Sequence, residues 1–111
     1  MIGGAIREWP EDERPREKLL KLGATALTDA ELLALVLRTG DASAGKTAID
    51  LGRELLSLYG GSLRELARAE INELRQIKGL GLAKAASVKA AFALASRFPA
   101  RPMVTLDRFS S

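Results

Sequence analysis

The chain has 111 residues and a formal net charge of +3, from 17 basic and 14 acidic side chains. This length suits a single domain with one hydrophobic core. Because the sequence contains neither cysteine nor histidine, it excludes disulfides and thiolate metal sites and lacks the commonest general base. No signal peptide or membrane-length apolar run is visible either, so we expect a cytoplasmic protein that is not an enzyme.

The two ends of the chain differ from its middle in composition. We interpret residues 1–14, which mix charges of both signs, as an extended N-terminal arm. Residues 15–98 carry helical patterns throughout and are predicted to form one helical domain. Residues 99–111 contain Pro99 and Pro102, and we expect them to be a linker or the start of a missing C-terminal domain.

The first half of the helical domain predicts a short helix over residues 16–22 and then two longer ones. Thr28 and Glu31 form a capping box, in which each side chain satisfies the other residue's unpaired amide. The leucine-rich segment that follows is apolar almost all round, so this helix should be central, and Arg38-Thr39-Gly40 ends it. Residues 47–58 are apolar at every third or fourth position, which indicates an amphipathic helix.

Three more helices are predicted in the second half. Ser62 and Glu65 form a second capping box at the start of a helix that ends near residue 69. Apolar residues spaced by three predict another short helix over residues 71–77. The last helix runs from about residue 82 to residue 98, and its many alanines indicate close packing against a neighbour. A helix-hairpin-helix motif therefore spans residues 71–98.

The loop between the two central helices matches a nucleotide-binding pattern. Gly40 to Thr47 fits G-x-x-x-x-G-K-[ST], in which Lys46 would contact phosphates and Thr47 a magnesium ion. A P-loop must follow a strand of a parallel sheet, whereas the capping box at Thr28 starts a helix there. We therefore interpret the match as a coincidence, and we keep Gly45, Lys46 and Thr47 only as a candidate second phosphate site.

The candidate functional centre is the glycine hairpin that precedes the last helix. Glycine adopts positive φ at little cost, so Gly79-Leu80-Gly81 predicts a tight turn. A helix that begins after Gly81 leaves its first amides unpaired, and these amides and the helix dipole favour a phosphate. The predicted site for a DNA phosphate consists of Lys78, Gly79, Leu80, Gly81, Ala83 and Lys84.

The charge distribution favours the same half of the chain. Five basic residues and no acidic one occur between Ile77 and Leu106. A basic half indicates contact with a polyanion, although a solvated basic face is the alternative. A weak internal repeat relates residues 32–55 to residues 74–94, because both have a basic residue before the turn and a lysine after it. A pseudo-duplicated pair would present two phosphate sites.

Several of these segments resemble the N-terminal region of the bacterial RadC family of DNA repair proteins. The resemblance covers about three-quarters of the chain and is carried by five stretches: Arg14 to Leu20, Leu27 to Ala34, Leu37 to Gly40, Gly45 to Ala48 and Ile77 to Ala85. It implies an all-α fold, a compact bundle of five to six short helices of the SAM/RuvA-C-like kind with a helix-hairpin-helix motif.

The RadC resemblance also implies a second domain, similar to JAB/MPN metalloproteases, whose zinc is held by histidines and carboxylates. This chain has no histidine, so neither a metal nor protease activity is carried over, and no cofactor is expected. The leading hypothesis is a DNA-binding module that is weak, sequence-independent and non-enzymatic. The alternative is a protein-interaction or scaffolding domain that docks on a partner or on the metalloprotease-like domain.

Overall fold

The computed structural model describes residues 14–98, so the predicted tail at 99–111, and the arm except for Arg14, lie outside the described residues. Within them the fold is all-α and comprises six helices, as the sequence predicted. They are α1 (Arg14–Leu22), α2 (Asp29–Leu37), α3 (Ala48–Leu58), α4 (Leu63–Arg68), α5 (Ile71–Leu74) and α6 (Gly81–Ser96). None of the helices in this range is long and apolar enough to cross a membrane.

The helix starts follow from short polar side chains next to free amides. The capping box of Thr28 and Glu31 is present at α2 as predicted, with both reciprocal hydrogen bonds. A further box begins α3, where Thr47 and Asp50 play the same roles. At α4 only half of the predicted box forms, because the amide of Ser62 donates instead to the carbonyl of Tyr59.

The core is built from leucines that five of the helices and the hairpin contribute. The largest fully buried side chains of these segments are Leu37, Leu51, Leu55, Leu66, Leu74, Leu80 and Val88. The prediction of a central α2 is confirmed by Leu33 and Leu37, which lie in this cluster. Burial of such side chains contributes about 1.5–3 kcal/mol each relative to exposure, which makes the core the main source of stability.

Close packing of α2 against α3 depends on Gly52. A Cβ built on this residue would lie 2.7 Å from the carbonyl oxygen of Ala30 on α2. Real Cβ atoms do not approach an oxygen so closely, so only glycine permits this separation. The α2–α3 pair therefore forms a tight unit against which α6 packs.

Side-chain hydrogen bonds join α5 and α6 to helices that precede them in the chain. The Tyr59 hydroxyl, at the end of α3, donates to the Glu73 carboxylate on α5 at 2.7 Å. The Lys89 ammonium, on α6, donates to the carbonyl of Ala67 on α4 at 2.8 Å. The sequence favoured a solvated face for Lys89, whereas in the structure Lys89 is half-buried and makes this specific contact. These contacts fix α5, the hairpin and α6 relative to the core.

Candidate nucleic-acid interface

The hairpin between α5 and α6 has the backbone that its glycines predict. Gly79 and Gly81 have φ values of 88° and 51°, in the left-handed region that favours glycine. Between them, Leu80 is only 1% exposed and its amide donates to the carbonyl of Ile77. Leu80 therefore anchors the hairpin in the core, and its amide is not available to a ligand.

The amides on either side of Leu80 remain unpaired. Among the described residues, no acceptor receives a hydrogen bond from the amides of Gly79, Gly81, Leu82 or Ala83. Gly81, Leu82 and Ala83 are also exposed to solvent. They form the N-terminus of a helix of 16 residues, where the helix dipole adds a partial positive charge. These amides can donate several hydrogen bonds to one anionic group.

The sequence predicted that Lys84 contacts a phosphate, whereas in the structure its ammonium is hydrogen-bonded within the protein. Its ammonium donates to the carbonyl of Leu37 at 3.1 Å and to the hydroxyl of Thr39 at 2.7 Å. A lysine has three N–H donors, so one remains. Lys84 thereby joins the first turn of α6 to the C-terminal end of α2, 47 residues away in the sequence.

An acidic side chain lies against the hairpin. A Cβ on Gly79 would lie 3.1 Å from a carboxylate oxygen of Asp41, so the absence of a side chain admits this neighbour. A hydrogen bond from the Ser43 hydroxyl, at 2.6 Å, lowers the pKa of Asp41, and the charge of Lys78 lowers it further. Lys78 is exposed, so the hairpin presents one cation and one anion beside its free amides.

The loop that resembles a P-loop is closed on itself. The amide of Asp41 donates to the carbonyl of Lys46, and the amide of Lys46 donates to the carbonyl of Asp41, both at 2.9 Å. The amide of Gly45 donates to the carbonyl of Ala42. The helix α2 precedes the loop, where a P-loop would need a strand. The loop backbone therefore has no phosphate cradle of the P-loop kind.

The side chains of the candidate second phosphate site are also paired. The Lys46 ammonium forms an ion pair with Glu54 on α3, at 2.8 Å. Thr47 caps α3, since its hydroxyl accepts a hydrogen bond from the amide of Asp50 and its amide donates to the Asp50 carboxylate. Together with the Gly45 amide, these donors are used inside the chain, which leaves the hairpin as the stronger of the two candidates.

The sequence placed Arg38 in the stop of α2 and before the turn of the weak repeat, but it gave no sign of the unusual backbone of this residue. Arg38 has φ 76° and is the only non-glycine residue with positive φ among residues 14–98. The amide of Thr39 donates to the carbonyl of Leu37 across it, which makes a γ-turn of the strained type. Such a conformation costs about 1–3 kcal/mol and is typical of functional sites. Because arginine rarely adopts it, no sequence pattern would have revealed this turn.

A second surface feature is an apolar groove between α2, α4 and α6. Leu32, Leu63 and Phe92 are among its lining residues. Leu32 and Leu63 are 38% and 36% exposed, respectively. Asp29 is the single charged residue of the lining. An exposed apolar surface of this kind is typical of a contact with another protein segment.

The family model and the similar proteins found by comparison all carry the same family description. The UPF0758 N-terminal family model matches residues 6–86, which is well over half of the sequence. UPF0758 proteins of Trichlorobacter lovleyi and Pelobacter propionicus are 75% and 68% identical over 100% and 96% of this chain. A UPF0758 protein of Geotalea uraniireducens is 59% identical over 99% of it. No solved structure matches the chain.

The aligned regions also show what part of a protein this chain represents. They cover 48%, 46% and 48% of the three relatives, so the chain spans about half the length of the curated relatives that it matches. The resemblance to the N-terminal region of RadC proteins is confirmed by the family match. The chain belongs to the UPF0758 family and corresponds to the N-terminal domain of its longer, RadC-like members.

Proposed function

We propose that this domain is a non-enzymatic module of a DNA repair protein that binds the phosphate backbone of DNA at its glycine hairpin. The observation that carries the proposal is the set of unpaired, exposed amides at Gly81, Leu82 and Ala83. Backbone amides at a helix N-terminus bind phosphate without contact to a base edge, so binding should be independent of sequence.

The charges near the hairpin predict weak binding. Lys78 is exposed beside the amides, but the Asp41 carboxylate opposes it. Lys84 is held by Leu37 and Thr39, so it contributes mainly through its remaining N–H and its field. With so few phosphate contacts we expect a dissociation constant of ~10⁻⁴–10⁻⁶ M at physiological salt, with a shallow salt dependence.

The proposal is tested with a variant that removes one backbone N–H and a control variant that changes only the side chain. Proline is tolerated in the first turn of a helix and has no N–H, so Leu82→Pro deletes a hairpin donor. Leu82→Ala is the matched control, because it removes the exposed side chain and keeps the amide. Binding to a labelled duplex at low salt is measured by fluorescence anisotropy. We expect Leu82→Pro to bind about tenfold more weakly than Leu82→Ala, since a hydrogen bond to a charged group contributes about 1.5–3 kcal/mol.

Two further variants separate the hairpin from the overall charge of α6. Lys78→Glu reverses a charge at the hairpin, and Arg97→Glu makes the same change at the other end of α6, about 24 Å away. Lys78→Glu should weaken binding more than Arg97→Glu. If Leu82→Pro folds and binds like Leu82→Ala, and both charge reversals have equal effects, the hairpin is not the DNA site.

The apolar groove favours a second candidate function, docking of another protein segment. Its natural occupant is the half of the longer relatives that lies beyond the part this chain matches. Chemical-shift changes at Leu32, Leu63 and Phe92 when that half of a relative is added would favour docking. An absence of binding to single-stranded, duplex and branched DNA at low salt, together with those changes, would replace the DNA proposal.

A further inference from the structure

Two clefts meet at the strained turn of α2, next to the hairpin. The first is lined by Leu37, Arg38, Thr39, Ala83, Lys84 and Ser87. The second is lined by Pro15, Arg16, Ala34, Leu35, Arg38 and Thr39. The turn residues Arg38 and Thr39 belong to both clefts, and Ala83 belongs to the hairpin. The clefts therefore lie side by side, and together they extend along a path from the first turn of α6 to the start of α1.

The charge along this path has a single sign. Arg16, Arg38 and Lys84 line the clefts, and no acidic residue lines either of them. Arg16 and Arg38 are exposed, and neither forms an ion pair or side-chain hydrogen bond with another described residue. Guanidinium groups bind phosphate oxygens through two parallel N–H donors. Two arginines without partners along a concave path therefore suit a polyanion.

One feature opposes anion binding here, and the chain counteracts it. The C-terminal end of α2 carries unpaired carbonyls and the negative end of the helix dipole. The Lys84 ammonium donates to the carbonyl of Leu37 at 3.1 Å, which neutralises this end. The first cleft measures about 210 Å³, and a water molecule occupies about 30 Å³. It thus has room for a phosphate group.

We propose that this path, from Ala83 over Arg38 to Arg16, binds further phosphates of the same DNA strand that the hairpin holds. The inference rests on the proposed function, and it adds at least one phosphate contact to the one at the hairpin. We call this path the track. Arg38 is the central ligand, because it lines both clefts. Its positive φ is the kind of backbone strain that clusters at functional sites.

The test compares the salt dependence of DNA binding in two double variants with equal charge changes. Arg16→Gln with Arg38→Gln removes the cations of the track. Arg64→Gln with Arg97→Gln removes two exposed cations that line neither cleft. Labelled oligothymidylate is titrated over a range of salt concentrations. Each lost phosphate contact lowers the slope of log affinity against log salt by about 0.7 for single strands. We expect a clear decrease for the track variant and little change for the control.

A third variant separates the binding role of Arg38 from its effect on folding. Arg38→Gly removes the cation and suits the positive φ, so we expect a more stable protein that binds oligothymidylate more weakly. Equal slopes for the two double variants, or unchanged binding by Arg38→Gly, overturn the track while the hairpin site stands. If the wild-type chain binds no DNA at low salt, the proposed function and the track are both overturned.

Discussion

At the scale of single residues, the position of one ammonium group determines what Lys84 does. Its two hydrogen bonds reach the end of α2, where they join the Thr39 amide on the carbonyl of Leu37 and also reach the Thr39 hydroxyl. A hydrogen bond that involves a charged group contributes about 1.5–3 kcal/mol. Lys84 therefore holds the hairpin of α6 against α2, and in this way it positions the free amides.

Replacement of Lys84 by methionine tests this structural role. Methionine keeps most of the side-chain volume but donates no hydrogen bond, so Lys84→Met should lower the free energy of unfolding by about 1–3 kcal/mol. Lys78→Met is the matched control, because Lys78 is exposed and should give a change within about 0.5 kcal/mol. Urea unfolding followed by circular dichroism measures both. Equal stability of the two variants would contradict the assignment of Lys84 to a structural contact.

At the scale of the helices, the start of α2 is stabilised by charges that respond to pH. Partial burial of the Glu31 carboxylate raises its pKa, but the Thr28 amide and the Lys18 ammonium outweigh this and lower the pKa below 4.5. The ammonium lies 3.1 Å from the carboxylate and joins α1 to α2. Since the folded pKa is depressed, this stabilisation is present above pH 4.5 and is lost as the pH falls through the folded value.

The variant Glu31→Gln tests this pH dependence. A glutamine keeps the shape of the side chain without the charge, so the variant should be less stable than the wild type at neutral pH. The difference should shrink as the pH falls below 4.5, where the wild-type carboxylate itself becomes protonated. Thermal unfolding over a pH series measures it. A stability difference that stays constant with pH would show that the charge of Glu31 is not what stabilises α2.

The helices show where sequence reasoning succeeds. The capping box at Thr28 was visible because its two residues are three apart, and their contact depends only on local geometry. The same pattern was half wrong at Ser62. The Ser62 hydroxyl accepts from the Glu65 amide as predicted, but the Ser62 amide donates to the carbonyl of Tyr59 and not to the Glu65 side chain. The capping box at Thr47 was not predicted, because its N3 position holds Asp50 where the usual pattern has a glutamate or glutamine. Local patterns therefore gave the helices and most of their starts.

The candidate site shows where that reasoning stops. The glycines of the hairpin and the free amides after them follow from local backbone chemistry, and the structure has both. The partner of Lys84 lies 47 residues away, and Asp41 approaches Gly79 from another loop. No spacing in the sequence encodes such contacts, because they arise only when α2 and α6 pack together. The amides were thus predictable, whereas the charges around them were not.

At the scale of the whole molecule, the proposed surface combines favourable and unfavourable charges. The clefts beside Arg38 carry only basic residues, but the hairpin carries the Asp41 carboxylate next to Gly79. Since its pKa is lowered, through the Ser43 hydroxyl and Lys78, Asp41 is fully ionised at neutral pH. A phosphate at the hairpin amides must therefore bind against this negative charge. On the proposed function, the carboxylate should therefore weaken DNA binding, while its hydrogen bond from Ser43 holds the loop of residues 41–46.

Removal of this one charge should consequently strengthen DNA binding. Asp41→Asn keeps an oxygen that can accept from the Ser43 hydroxyl, so the loop should persist. For charges several ångströms apart in water, Coulomb's law gives ~0.5 kcal/mol, which corresponds to about a twofold rise in affinity. Asp29→Asn is the matched control, because Asp29 lies at the opposite end of α2. Anisotropy titrations at low salt compare the two variants. If both bind DNA with the same affinity, the phosphate does not lie at the hairpin beside Asp41.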